Sequence, residues 1–237
     1  MRILPKFADK RNDIAATDAN RYHGDLQKGA LVVHTTVVRG KRSWNAHSTG
    51  HIVLPIEGDE LVLPIRYDER DAPYVPGDQV LVSLADEEDR CACAWATTTD
   101  QSLVGLGVDL ASPTDFADRP GAKRFIRAIF TKRERELAYD INRHDLPLAY
   151  ATLFGAKEAA FKATARPLRM WYASHDDPLE FEVRDFCMSE YGLEDGTARH
   201  GSAQHALNCM GIDRIEVSFE EADGMALVVA RAYHLAY

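Results

Sequence analysis

The 237-residue sequence is short of several things, and each shortage excludes something. No stretch approaches the ~20 consecutive apolar residues of a membrane-spanning helix, so no membrane partner is expected. The opening stretch from Met1 to Lys10 has no apolar core of signal-peptide length, and the expected location is cytoplasmic. Cysteine is scarce: of four, Cys91 and Cys93 stand two apart, while Cys187 and Cys209 stand alone. No zinc spacing occurs among them, and all four are read as reduced thiols. Positive charge is in deficit, with 28 Lys and Arg against 37 Asp and Glu for a net charge of −9. Nucleic acid needs a basic face, so it is not expected as a partner. An anionic small molecule stays open, because its site needs only a local positive patch. What remains is ordinary for a globular chain: 46% hydrophobic and 27% charged residues, long enough for one large domain or two small ones.

Taken in order, the chain predicts a short helix over 17–28 and a β-branched strand over 31–38. A basic cluster follows at Arg39, Lys41 and Arg42, whose ordinary reading is a solvated turn. Strands are expected at 51–56 and 61–67 around the turn Glu57-Gly58-Asp59, then a loop at 68–78. A strand pair at 79–84 and 91–97 flanks an acidic turn. The second half opens with a strand at 103–110 and the helix-start signal Ser112-Pro113-Thr114-Asp115. A helical region over 123–142 is broken near Thr131. Leu146-Pro147 opens a main helix that runs to about Ala165 and is stopped before Pro167. A strand is expected at 179–188, an ambiguous segment or short helix at 202–210, and closing strands at 215–219 and 225–232. The stretch 83–94 echoes 218–229: each is a strand end, an acidic turn and an apolar return. Two unrelated hairpins would read this way, and so would a duplicated α+β unit.

Two stretches carry the chemistry. Val104-Gly105-Leu106-Gly107-Val108-Asp109-Leu110 reads as a buried strand that delivers an acid near its end. Leu153-Phe154-Gly155-Ala156-Lys157-Glu158-Ala159-Ala160-Phe161-Lys162 reads as a helix, with Phe154, Glu158 and Lys162 along one stripe. An Asp at a strand end and a Glu on a facing helix can hold one hard cation, and an adjacent Lys suits the phosphates such a cation brings. The plain alternatives are a turn-forming Asp109 and a surface ion pair between Glu158 and Lys162.

In this order and spacing the motifs resemble those of the 4'-phosphopantetheinyl transferases. That family has an apolar strand ending Gly-Val/Ile-Asp, matched here by Gly107-Val108-Asp109. Downstream come an aromatic, two residues, Lys-Glu, three residues and Lys, matched by Phe154, Lys157-Glu158 and Lys162. Between them, Phe130-Thr131-Lys132-Arg133-Glu134 looks like the family's aromatic-x-x-x-Glu segment. The resemblance covers 104–162 best. It implies transfer of phosphopantetheine from coenzyme A to a serine hydroxyl of an apo acyl or peptidyl carrier protein, with release of 3',5'-ADP. It implies Asp109 and Glu158 as Mg²⁺ carboxylates and Glu158, Lys162 and Glu134 as catalytic residues. Lys162, Lys157 and Arg70 become candidates for coenzyme A contacts. The implied fold is α+β, with two pseudo-symmetric lobes, each a mostly antiparallel sheet packed with helices, and the site at their interface. Residues 1–102 would be the nucleotide side and 103–237 the metal and catalytic side. The length resembles the long branch of the family, hence a monomer.

Three departures stand out. Ala111 occupies a position where many long-branch members carry a second acid. Ala85-Asp86 stands where they carry a Ser-His pair, and Asp71-Ala72-Pro73 where they carry Gly-Lys-Pro. These keep two alternatives in play: a non-catalytic carrier-protein or coenzyme-A-binding module on the same fold, and another Mg²⁺-dependent diphosphate enzyme.

Overall fold

The computed structural model describes residues 6–7, 22–28, 31–39, 50–56, 59–77, 80–88, 90–97, 102–117, 121–189, 192–193 and 202–234. Side chains are described from 63 onward, apart from those of 189, 192, 193 and 202. Lys41, Arg42 and the turn at Glu57-Gly58 lie outside these residues. The chain divides into two compact units, Met1–Asp100 and Gln101–Tyr237. Helices and antiparallel sheets both occur, so the class is α+β, as the sequence predicts. Among the described residues no helix is long and apolar enough to cross a membrane.

The described part of the first unit is two antiparallel sheets. One joins β1 (Lys6–Phe7), β4 (Gly50–Ile56), β5 (Asp59–Tyr67) and β6 (Pro73–Tyr74) in that order. The other joins β2 (Tyr22–Lys28), β3 (Leu31–Arg39), β8 (Arg90–Thr97) and β7 (Val80–Glu87). The helix expected over 17–28 is replaced at its C-terminal end by β2, every residue of which pairs with β3. A ladder against the β-branched Leu31-Val32-Val33 stretch outweighs a weak local helical preference, and Gly24 weakens that preference further. No helix occurs among the described residues of this unit, whereas one packed helix per lobe was expected. Strands β7 and β8 are buried along nearly their whole length and supply Val82, Leu84, Cys93 and Trp95 to a core with Ile65 and Val75. None of the four cysteines is disulfide-bonded, and burial pushes the Cys93 thiol up to about 12.

The second unit is one five-stranded antiparallel sheet with helices packed on it. Its order is β10 (Met188–Ser189), β11 (Gly192–Leu193), β12 (Arg214–Ala222), β13 (Met225–Tyr233) and β9 (Leu103–Ala111). After β9 comes a short 3-10 turn, Pro113–Phe116, capped by the Ser112 hydroxyl. Then follow α1 (Ala122–Ile129), α2 (Lys132–Asn142), α3 (Leu146–Ala163), α4 (Ala165–Tyr172) and, before β12, α5 (Ser202–Cys209). The break expected near Thr131 falls at Phe130-Thr131, between α1 and α2. The two echoed hairpins share a register. Ser83 faces Ala94 and Ser218 faces Val229, and each turns on two residues, with Glu88 (φ 53°) or Asp223 (φ 55°) left-handed.

The main helix α3 ends at Ala163, before Pro167 as expected, and a further helix not foreseen in the sequence, α4, follows with Pro167 in its first turn, where the missing N–H is of no consequence. Residues 179–188 are not a strand. They hold a 3-10 turn, Val183–Asp185, and join the sheet only at β10. Side chains satisfy the backbone in place of a ladder, with the Leu179 amide donating to the Tyr172 hydroxyl and the Glu182 amide to the Asp185 carboxylate. Phe181 and Phe186 turn inward onto Phe161 of α3.

Candidate functional site

Strand β9 and helix α3 meet at backbone distance. A Cβ at Gly105 would lie 1.8 Å from the carbonyl oxygen of Ala163, and one at Gly107 would lie 1.9 Å from that of Ala159. Only glycine allows this approach. Two strand residues advance about 6.6 Å and four helix residues about 6 Å, so the elements stay in step along their length. At the next step the small residue changes sides. Asp109 and Ala111 occupy the strand, and the helix offers Gly155, whose absent Cβ would lie 3.4 Å from Asp109 Oδ2 and 3.5 Å from the Ala111 methyl. Asp109 and Ala111 therefore share the face of β9 that looks onto α3.

Helix α3 is fixed at this level by its ends. The Asp145 carboxylate caps it by accepting from the Leu148 amide at 3.0 Å, Pro147 sits in its first turn, and the Thr164 hydroxyl donates to the Phe161 carbonyl. Lys162, in the last turn, reaches back to the strand, and its Nζ donates to Asp109 Oδ1 at 2.7 Å. Glu158 lies one turn before Lys162. Its carboxyl is held above the usual carboxylate range, first by burial and then by the charge of Asp109, while Lys162 works against both. Asp109, Glu158 and Lys162 thus form one electrostatic group. It is open to solvent: the Lys162 side chain is 30% exposed and that of Asp109 11%. Phe154, on the same stripe, packs on Phe116 and Phe125 with ring centres 5.8 Å away in each case.

Glu134 and Lys157 are brought together elsewhere, with no exposed surface on either side chain. Lys157 Nζ sits 2.6 Å from Glu134 Oε1, donates to the Phe186 carbonyl, and lies 5.9 Å from the centre of the Phe130 ring. Glu134 Oε1 also accepts from the Met188 amide at 3.0 Å, and Oε2 accepts from the Thr131 amide at 2.7 Å. The Thr131 hydroxyl accepts in return from the Glu134 amide. This is a capping box for α2 whose acid doubles as the partner of a buried ammonium. In this arrangement the Lys157 ammonium, a candidate coenzyme A contact, offers no exposed surface, and Glu134, a candidate catalytic residue, is enclosed with it. The sequence carried the signal, since Thr131-Lys132-Arg133-Glu134 is a capping-box spacing ahead of a helix.

Arg70 belongs to the first unit, exposed in the turn after β5, where its amide donates to the Asp68 carboxylate. Ala85 is buried on β7 and the adjacent Asp86 is exposed. Gly155 drew no attention in the sequence as part of the site. Its signal is a lone glycine inside an alanine-rich helix.

Among the described residues no group of three or more His, Cys, Asp and Glu is gathered for a metal. The donor set beside Gly155 is two carboxylates and one ammonium. One carboxyl is raised first by burial and then by its carboxylate neighbour, and the second of these is a repulsion that a cation would relieve. Two oxygen donors also match a small hard cation that completes its shell with water and substrate phosphates. Ala111, where the resemblance implies a further acid, is a buried methyl.

The model of the 4'-phosphopantetheinyl transferase superfamily matches residues 105–219. A holo-ACP synthase from Plasmodium yoelii is 19% identical, with 56% of this chain and 97% of that one covered and a TM-score of 0.38. A holo-[acyl-carrier-protein] synthase from Neisseria meningitidis is 20% identical, with 55% and 98% covered and a TM-score of 0.39. No curated protein matches the chain. The matched stretch contains Gly107-Val108-Asp109, Glu134 and Lys157-Glu158 through Lys162, and over these residues the chain is similar to the 4'-phosphopantetheinyl transferase superfamily.

Proposed function

We propose that the protein transfers 4'-phosphopantetheine from coenzyme A to a serine hydroxyl of an apo acyl or peptidyl carrier protein. The observation that carries this reading is the convergence of Asp109, Glu158 and Lys162 at a solvent-open step between β9 and α3. In the reaction the serine oxygen bonds to the phosphorus of the pantetheine phosphate. The bridging P–O bond of the diphosphate breaks, and 3',5'-ADP leaves with the electron pair. Asp109 and Glu158 would hold Mg²⁺, which when bound neutralises diphosphate charge. Lys162 presents a second positive charge to the same oxygens, and Asp109 orients its ammonium. The raised carboxyl of Glu158 suits acceptance of the serine proton, directly or through water. In this reading 103–237 is the metal and catalytic part and 1–102 the nucleotide part, with Arg70 as a phosphate contact. The protein acts as a cytoplasmic monomer.

The test is to incubate the protein with an apo carrier, coenzyme A and Mg²⁺ and to weigh the carrier by mass spectrometry. A gain of one phosphopantetheine is expected, dependent on Mg²⁺ and lost in Asp109→Ala. Ala111, with Ala85-Asp86 in place of a Ser-His pair, favours a second reading: a binding module without turnover. Carrier or coenzyme A bound without mass gain would select it.

A further inference from the structure

We infer that Arg231 anchors a binding site for a phosphate-class oxyanion, on the face of the second unit's sheet that is turned away from α3. The face follows from alternation along the strands. Val228 and Asp109 are cross-strand partners, and Val228 Cγ2 looks onto Gly155 of α3. Arg231, three residues further along β13, points the other way. Its partners in register do the same, Leu106 on β9 and Glu216 on β12. Ser218 and Glu220 share that face with Glu216. Asp109 faces α3, so this site is distinct from the one described above.

Arg231 is 3% exposed. A guanidinium keeps its charge on burial and carries five N–H donors. Here Nη2 donates to the Ser218 hydroxyl at 3.0 Å, while the buried Nε has no partner. The carboxylate opposite in register, Glu216, lies 3.5 Å from Arg214 Nε instead. No carboxylate among the described residues pairs with Arg231. A water at Nε would satisfy the donor and leave the buried charge unneutralised. An oxyanion does both, because the planar fork of Arg matches phosphate oxygens with parallel donors. Access lies along β12. Ser218 and Glu220 are part-exposed, and past Glu216 the described residues give β12 no strand partner besides β13. Glu220 Oε1 is also buried without a partner, and burial raises that carboxyl, the direction that lessens its repulsion of an anion. The plain alternative is that Arg231 only ties β13 to Ser218.

Thermal melting of the full chain against inorganic phosphate, at constant ionic strength, separates the two. The variants are wild type and Lys162→Met, each with and without Arg231→Met. Lys162→Met removes the other candidate phosphate contact. Phosphate should raise the melting temperature of both proteins that keep Arg231, and the concentration dependence gives the affinity. Arg231→Met should melt no lower than its parent without phosphate, since an unpaired buried charge is gone. It should bind phosphate at least about tenfold more weakly, the scale of a lost charge-assisted pair. If Arg231→Met does not fold, Arg231→Lys takes its place; it keeps the charge and loses the fork, so about tenfold weaker binding is again expected. A parallel titration with 3',5'-ADP tells a free oxyanion from a phosphate carried by a larger molecule, which would bind more tightly and still need Arg231. Equal phosphate responses with and without the Arg231 substitution, or no response in wild type, overturn the site.

Discussion

Helix α3 carries two lysine–carboxylate pairs little more than one turn apart, and their surroundings give them opposite jobs. Lys157 and Glu134 expose nothing, and every acceptor around the ammonium is fixed: a carboxylate, a carbonyl and an aromatic face. Lys162 and Asp109 make a bond of similar length, 2.7 Å, but sit at a step open to water beside a second carboxylate. The sealed pair ties α2, α3 and residues 186–188 together and has no route to a ligand. The open pair can exchange its partner for a phosphate or a cation. The same two functional groups are thus sealed in one place and left accessible in the other, and under the proposed function the accessible pair is the reactive one.

Removing the open carboxylates tests one side of that contrast and has the largest expected effect. Asp109→Ala and Glu158→Ala should each lower transfer by on the order of a thousandfold, with melting close to wild type. A melting loss as large as the activity loss would make the open pair structural as well. Breaking the sealed pair should do the reverse. Lys157→Met leaves the Glu134 charge buried and unpaired, at a cost of about 3–5 kcal/mol in denaturant unfolding. Replacing both, as Lys157→Met with Glu134→Leu, should recover most of that. A Lys157→Met protein of normal stability but without activity would return Lys157 to the reactive centre.

Ala111→Glu sharpens the open site by adding an acid on the face that Asp109 uses. Activity titrated against Mg²⁺ should show a lower half-saturation, because ligand number and charge set affinity for such ions. The price is about 1–3 kcal/mol of stability for overpacking beside Gly155. An unchanged or higher Mg²⁺ requirement would place position 111 outside the cation's reach. The smallest effect is in pH. The Glu158 carboxyl is raised in the folded chain, so the folded state holds that proton more tightly than the unfolded one. Stability from this group is complete below the ordinary carboxylate range and is lost as pH rises through the raised value. Cation affinity runs the other way and falls as pH drops through the same value, since the ligand must be ionised. Glu158→Gln should flatten the corresponding slope in melting temperature. An unchanged slope would show that Glu158 does not titrate there.

Local pattern alone was enough for much of this protein. The apolar run over 103–111 and the capped, alanine-rich run after Asp145 specify a strand and a helix whatever surrounds them. Their periods place Asp109 on one strand face and put Phe154, Glu158 and Lys162 on one helical stripe. The acidic turns near Glu88 and Asp223 were legible too, although the strands before them run further, to Glu87 and Ala222, than the pattern placed them. Other features depend on what arrives from far along the chain. Lys157 and Lys162 differ by roughly 140° around the helix, but which of the two directions is sealed depends on α2 and residues 186–188 closing over one of them. Glu134 fitted both a catalytic motif and a capping box, and only the tertiary structure brings the buried ammonium beside the capping box. Residues 179–188 alternate like a strand, yet their amides find side-chain acceptors first. Segment 22–28 becomes a strand because β3 offers it a ladder. Sequence spacing determines which side chains share a face, since that follows from the local geometry of each element. Tertiary structure decides which of those faces water can reach, and with it which charges are free to do chemistry.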